Sequence, residues 1–190
     1  MSMTVTRRKD TKTPRVFMHK IADVRGGVSV NVSELGCDYL PEGTVLSAPV
    51  DGVCHVVKRA KLTAAATNAD TSYKVAKGHP FKVGDVIMLA TSAKAYAITA
   101  IDGSNSGYDT LTVGTTLGAA ANIGDQLMQA AAAGASGSAL KYTPFSLTGT
   151  GKPVVQGTNL NVDAWVIGVT KGNALPSAIA SILKGIINYD

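Results

Sequence analysis

The stretch FKVGDVIML, residues 81–89, decides the expected fold, and residues 123–128, IGDQLM, repeat its outline. In both copies a Gly-Asp pair follows a β-branched residue and precedes an apolar run. Glycine adopts positive φ without strain, and an Asp carboxylate accepts hydrogen bonds from nearby backbone amides. We therefore predict that Asp85 and Asp125 lie in turns that lead into strands. Paired catalytic carboxylates are the disfavoured alternative, because no His, Lys or Tyr cluster accompanies either Asp.

Composition points to the same class of fold. The chain has 190 residues, of which 45% are hydrophobic, and this is enough to build a core. Only 16% are charged and 5% aromatic, whereas Gly, Ala, Ser, Thr and Val are abundant. Such a composition favours short strands and tight turns over long, salt-bridged helices. We predict a mainly β protein.

The strand pattern divides the chain into two parts. Val28, Val30 and Val32 alternate with polar residues, as in a strand with one buried face, and LPEGTVLSAP (residues 40–49) and DGVCHVVKRAKL (residues 51–62) extend this into a β meander. Two small-residue stretches, 62–72 and 129–140, are expected to pack poorly and bend easily. Between them lie strand-like runs spaced as in a small barrel, namely 73–75, 86–89, 95–101, 110–113 and 126–128.

The end of the chain switches to a helical period after a buried strand that contains Trp165. Pro176 suits a first helical turn and Gly185 suits a stop. A helix of two or three turns is unstable alone, so its apolar stripe must cover a sheet or a neighbouring subunit. The predicted packing or oligomer interface consists of Trp165, Leu175, Ile179, Ile182, Leu183 and Ile186.

The net charge of +5 is concentrated at the N-terminal end, where six basic residues face Asp10 alone and the remaining basic and acidic residues cancel. We expect a basic arm that binds a partner through Arg7, Arg8, Lys9, Lys12, Arg15 and Lys20. An acidic groove of a protein is the favoured partner. Nucleic acid is the alternative, with Lys74, Lys77 and Lys82 extending a phosphate track. It is disfavoured because the body lacks interleaved aromatic and basic residues.

No catalytic, cofactor or metal motif stands out. His19, His55 and His79 have unrelated contexts, and neither Cys37 nor Cys54 has a second cysteine at metal-ligand spacing. Both cysteines are expected to be small buried hydrophobes rather than a disulfide. Because the sequence shows neither a secretory signal nor a long apolar run, we expect a soluble protein made in the cytoplasm, with no membrane partner.

Four stretches together resemble the head-fibre or head-decoration proteins of tailed bacteriophages. They are TPRVFMHKIADVRGGVSVNVSEL (13–35), LPEGTVLSAPVDGVCHVVKRAKL (40–62), HPFKVGDVIML (79–89) and WVIGVTKGNALPSAIASILKGIINYD (165–190). The turn at 40–46 and the strand followed by a Leu-Pro helix at 165–187 are the most specific parts. These motifs are structural rather than catalytic.

The resemblance implies a protein without a reaction or cofactor, attached to the outer surface of the virion as a homotrimer through the major capsid protein. Residues 1–27 would form an extended basic arm, and residues 28–61 with 131–190 an anchoring β module that ends in a short helix. Residues 62–130 would form an inserted small β-barrel that projects from it. Whether that part binds a host surface glycan is left open.

Overall fold

The computed structural model describes residues 15–189. Over this range the chain is mainly β, with 43% strand and 2% helix, as the composition predicted. In chain order the elements are β1 (Phe17–Asp23), β2 (Val28–Val30), β3 (Tyr39–Leu40), β4 (Val45–Ser47), β5 (Val53–Cys54), β6 (Arg59–Lys61), β7 (Ser72–Ala76), β8 (Val86–Met88), β9 (Ala95–Asp102), β10 (Tyr108–Val113), β11 (Gln126–Gln129), β12 (Pro144–Thr148), β13 (Lys152–Pro153), β14 (Leu160–Val162), β15 (Ala164–Lys171), α1 (Ser177–Ala180) and β16 (Ile186–Tyr189).

The anchoring part is organised around β15. Antiparallel β1 pairs along one edge of β15, whereas β12 and the parallel strand β16 pair along its other edge, and β4 extends the sheet beyond β12. A three-stranded sheet β14-β2-β5 and a two-stranded sheet β13-β3 complete this part. Their apolar cluster is buried and includes Val30, Leu40, Leu46 and Cys54.

The inserted part is a six-stranded antiparallel sheet in the order β6-β11-β8-β9-β10-β7. It includes β6, which the predicted bounds assigned to the anchoring module, so this sheet begins before residue 62. Each of the five predicted strand-like runs is a strand of this sheet. The first and last strands meet where Leu62 and Val75 form a bridge and the Thr63 N–H donates to the Lys74 carbonyl at 2.9 Å. The sheet thus curls until its edges touch, and closure into a barrel stays a prediction.

The Gly-Asp turns have the predicted conformation. Gly84 and Gly124 have φ of +92° and +97°, where a residue with a side chain would be strained. The Asp85 carboxylate accepts the Lys82 N–H at 2.8 Å, and the Asp125 carboxylate accepts the Asn122 N–H at 2.8 Å. The repeat is therefore a repeated turn.

The small-residue stretches are tied to the insert. Ala66 and Ala121 exchange two backbone hydrogen bonds of 2.8 Å, and Ala95 and Gly134 exchange two of 2.9 Å. Short side chains let these backbones approach and pair, but most residues of both stretches are exposed, so poor packing stays a prediction.

Part of the predicted extended arm is a strand. Residues 17–23, which were assigned to the arm, form β1 and pair with β15 from Phe17↔Thr170 to Asp23↔Trp165. The register shifts at three places along this strand. Charged and polar residues in this stretch masked a strand that has only one apolar side chain, Phe17, buried in the core.

The predicted short C-terminal helix is present, but it is shorter than the two or three turns that the sequence indicated. Helix α1 covers four residues, begins after Pro176, and gives way to β16, so Ile186 lies in a strand. At Gly185 the chain passes so close to Val166 and Ile167 that a Cβ atom would clash. This approach lets the Gly168 N–H donate to the Gly185 carbonyl at 3.0 Å, and the following β-branched pair continues as a strand.

The anchoring part and the insert share a core. Met88 and Met128 of the insert pack in one cluster with Phe17, Val45 and Ile179 of the anchoring part. A second cluster fills the insert itself around Tyr73, Phe81 and Leu111. Packing across the boundary fixes the insert against the anchoring sheet.

We predict that Gly168→Ala destabilises the protein by about 1–3 kcal/mol, the usual cost of overpacking. The added methyl group would lie 2.7 Å from Phe17 Cε1 and 2.9 Å from the His19 carbonyl oxygen. Urea denaturation measures the change. Gly114→Ala is the matched control, since its methyl would meet only Thr99 Cγ2 at 3.8 Å. Equal stability of the two variants would contradict the close packing of β1 on β15.

Candidate partner-binding face

The structure divides the predicted arm residues into two groups. Arg7, Arg8, Lys9 and Lys12 lie outside the described residues. Arg15 is exposed beside the start of β1, and Lys20 lies within β1.

Lys20 contacts its own chain. Its Nζ donates to the Gly149 carbonyl at 2.5 Å and lies 3.8 Å from Asp163 Oδ2. It also lies over the rings of Phe17 and Trp165, 5.6 Å and 5.4 Å from their centroids. These contacts hold β1 to the loop at 149. A role for Lys20 in binding a partner stays a prediction.

Trp165 is therefore part of the same contact as Lys20, although the sequence placed the two in separate sites. Its Nε1 donates to Asp163 Oδ2 at 3.0 Å, and its ring lies 6.3 Å from that of Phe17. The side chain is half-buried within the chain.

Most of the predicted C-terminal stripe is covered by the chain itself. Ile179 and Leu183 are buried in the core shared with Phe17 and Leu147. Leu175 and Ile186 are partly buried against the same cluster, and only Ile182 is exposed. The sheet supplies the cover that the sequence required. The homotrimer stays a prediction without support from this stripe.

A different apolar surface is exposed on three neighbouring strands. We call it the outer face, and it consists of Met18 and Ile21 on β1, Ile167 on β15, and Ile187 and Tyr189 on β16. The register places Ile187 beside Val169 and Tyr189 beside Lys171. Val169 and Lys171 lie on the same side of β15 as Ile167, because alternate residues of a strand share a side. Sequence reasoning missed this face because β16 was counted as helix and β1 as arm. The sequence feature that could have indicated strand β16 is the pair of β-branched residues at 186–187.

The border of the outer face is basic. Arg15, His19 and Lys171 are exposed there, whereas Asp23 is the exposed acid of β1. Lys171 Nζ lies 6.0 Å from the centroid of the Tyr189 ring. The sequence that precedes β1 carries four further basic residues. An apolar surface with a basic border suits a partner with an apolar patch and acidic groups.

A polar cluster joins segments that are far apart in sequence. Glu34 accepts a hydrogen bond from the Tyr142 hydroxyl at 2.8 Å, and its other oxygen lies 2.5 Å from His55 Nδ1. The rings of His55 and Tyr142 stack at 4.3 Å. Burial raises the pKa of Tyr142, and the Glu34 carboxylate adds to this effect, so the phenol remains a neutral donor. These contacts connect the loop at 34 with the segments just after β5 and just before β12.

Lys58 forms the buried centre of this cluster. Its ammonium group is fully buried, donates to the Glu34 carbonyl, and lies 2.7 Å from Asp85 Oδ2. Gln129 Nε2 donates to the second oxygen of Asp85 at 2.9 Å. Burial lowers the pKa of Lys58, and the hydrogen bond to Asp85 opposes that shift. Asp85 therefore has a second role that its turn did not indicate.

The lysines of the proposed phosphate track are partly engaged. Lys77 Nζ lies 2.5 Å from Asp109 Oδ1, and Lys82 Nζ donates to the Ser33 carbonyl at 2.6 Å. Lys74 lies over the Tyr108 ring at 5.0 Å.

The two cysteines do not form a disulfide bond. Cys37 and Cys54 are free thiols, and Cys54 is buried in the anchoring core. Within residues 15–189, no group of three His, Cys, Asp or Glu side chains is arranged to hold a metal ion. No helix in that range has the length and apolar character needed to cross a bilayer.

Comparisons with protein families, curated proteins and solved structures found no match for this chain.

We predict that Asp85→Asn lowers the free energy of unfolding by about 3–5 kcal/mol, because it leaves the buried Lys58 ammonium without its counter-charge. Asp125→Asn is the matched control. Asp125 occupies the same position in the second turn but is exposed, and the structure gives it no cation within 4.0 Å among residues 15–189. Its loss is expected to stay below about 1 kcal/mol. Chemical denaturation measures the free energy of unfolding of both variants, and similar losses would argue against the ion pair of Lys58 and Asp85.

Stability should also depend on pH through His79. Burial lowers the pKa of His79 below the ordinary histidine value of about 6.5, although Asp109 opposes this shift. Its Nδ1 accepts the Phe81 N–H at 3.2 Å, which requires that nitrogen to be unprotonated. The unfolded chain therefore binds a proton first, so stability is complete above pH 6.5 and falls as the pH decreases. Urea denaturation at several pH values should show a smaller loss for His79→Gln, and parallel losses would refute this assignment.

Proposed function

We propose that the chain is a non-enzymatic structural subunit that decorates the outer surface of a tailed-phage capsid and binds the major capsid protein through the outer face. The observation that carries the proposal is the exposure of five large apolar side chains on adjacent strands of one sheet. Contiguous apolar surface of this kind marks interaction sites. The resemblance of the sequence to head-decoration proteins supplies the class of partner.

The internal contacts support a structural role. The buried Lys58 ammonium group contacts both the Glu34 carbonyl and the Asp85 carboxylate, and so joins the insert to the anchoring part. The outer face lies on the opposite side of β15 from the buried Thr170 and Gly168. Its position at the surface leaves it available to a shell protein, and the basic sequence before β1 can add contacts to acidic groups of that protein.

The proposed particle location is the outside of the virion after synthesis in the host cytoplasm, and the proposed assembly is a homotrimer. The insert would project from the shell, and its Met88 and Met128 pack in the same core as Phe17 of β1. Nucleic-acid binding through the basic sequence is the competing function.

Binding to capsids tests the proposal. Phage heads that lack this protein should bind the full chain, and Ile167→Glu with Ile187→Glu should weaken binding at least about tenfold, because charges would be buried against an apolar patch. Co-sedimentation at constant ionic strength measures the affinity. The two side chains are 43% and 63% exposed, so the folded chain tolerates the change.

The control places the same substitutions on the insert. Val83 and Ile123 are 60% and 71% exposed, so Val83→Glu with Ile123→Glu adds equal charge away from the outer face. This control should bind like the unmodified chain. Unchanged binding by the Ile167/Ile187 variant would reject the outer face. Failure of the unmodified chain to bind heads, together with salt-sensitive binding to DNA or RNA, would favour the competing function.

A further inference from the structure

A cavity of about 260 Å³ lies between the six-stranded sheet and the loops at 40–44 and 172–174. Arg59, the first residue of β6, borders this cavity and is half-buried. Its side chain crosses from the insert to the anchoring part, where it reaches Asn173 and Ala174. The cavity therefore has a guanidinium group in its wall.

This guanidinium group has only neutral partners. Nη1 donates to Gln126 Oε1 and to the Ala174 carbonyl, both at 2.8 Å, and Nη2 donates to Asn173 Oδ1. Among the residues that the structure describes, no carboxylate lies within 4.0 Å of it, and Nε–H and one Nη2–H make no hydrogen bond. Burial lowers the pKa of Arg59 to about 10, so the group keeps its charge at neutral pH. A partly desolvated cation without a counter-ion is costly, and an anion would relieve that cost.

The other charged groups of the cavity leave a positive balance. Lys61 makes no hydrogen bond or ion pair with residues 15–189, whereas Lys77 is paired with Asp109. Glu42 is the acid of the wall, and its Oε1 accepts the Phe17 N–H at 2.8 Å. The wall thus has two cations without an ion-pair partner among residues 15–189, Arg59 and Lys61, and one carboxylate, that of Glu42.

We propose that this cavity binds the oxyanion group of a small molecule, either a carboxylate or a phosphate. Arg59 anchors the anion through its two remaining N–H groups, and Lys61 adds a second positive charge. A planar guanidinium with two free donors suits the paired oxygens of both anions. The volume lies just below the range of about 300–1,000 Å³ that is usual for ligand pockets, which limits the ligand to a small molecule. The site is distinct from the outer face.

Titration of the full chain with inorganic phosphate, and separately with succinate, tests this site. Ionic strength is kept constant with chloride, calorimetry measures affinity, and the ¹⁵N–¹H signal of Arg59 Nε reports the contact. We expect saturable binding of at least one anion with a shift of that signal. The anion that binds with the higher affinity identifies the preferred group, phosphate or carboxylate. Arg59→Gln should weaken binding about tenfold or more, and Lys61→Gln roughly two- to threefold. Lys184→Gln removes an exposed charge that does not border the cavity and should have no effect.

Absence of saturable binding for both anions would overturn the proposal, as would binding that Arg59→Gln leaves unchanged. Because Arg59 also contacts Gln126 and Asn173, circular dichroism checks that its variant is folded. Should that variant not fold, the exposed Lys61→Gln variant and the Nε signal still decide, and unchanged affinity without a shift would count against the site. The measurement uses no capsids, so its outcome is separate from that of the head-binding experiment.

Discussion

The pairing of β15 with three strands from distant parts of the chain is the constraint on which the anchoring part depends. β1 comes from the N-terminal side, β12 follows the insert, and β16 is the last strand described. All three reach β15 over eight residues, and Gly168 sits where β1 and β16 flank it on both sides. A side chain at this position would collide with Phe17. The close approach of β1 to β15 therefore depends on a glycine at residue 168. The same pairing exposes one side of β1, β15 and β16 and thereby creates the outer face.

A second constraint is the buried charge of Lys58. An ammonium group without water needs nearby oxygens, and here they come from Glu34 in the anchoring part and Asp85 in the insert. The charge therefore specifies how the two parts are oriented as well as connecting them. Gln129 and the stacked pair of His55 and Tyr142 extend the network on both sides. Such a network favours a fixed orientation of the insert relative to the anchoring part.

The outer face and the Arg59 cavity differ in chemistry. The outer face is broad, apolar and bordered by cations, which suits a protein surface. The cavity is small and has a guanidinium group in its wall, which suits a single anionic group. The two sites also involve different strands of the fold, since the outer face lies on β1, β15 and β16 whereas Arg59 belongs to β6.

The sequence by itself determined the mainly β class, the five strands of the insert and both Gly-Asp turns. These features rest on short-range rules, namely alternation of apolar residues and the conformational freedom of glycine. The same rules were wrong for residues 17–23 and for Ile186, because a strand with one buried side chain and a helix of one turn carry little periodic signal. Only the tertiary structure decided that the C-terminal stripe is covered internally and that Lys20 contacts Trp165. It also decided that Asp85 neutralises Lys58 and that no carboxylate of residues 15–189 lies within 4.0 Å of the Arg59 guanidinium. Each of these depends on contacts between residues remote in sequence, and the geometry of such contacts is fixed by packing rather than by local pattern.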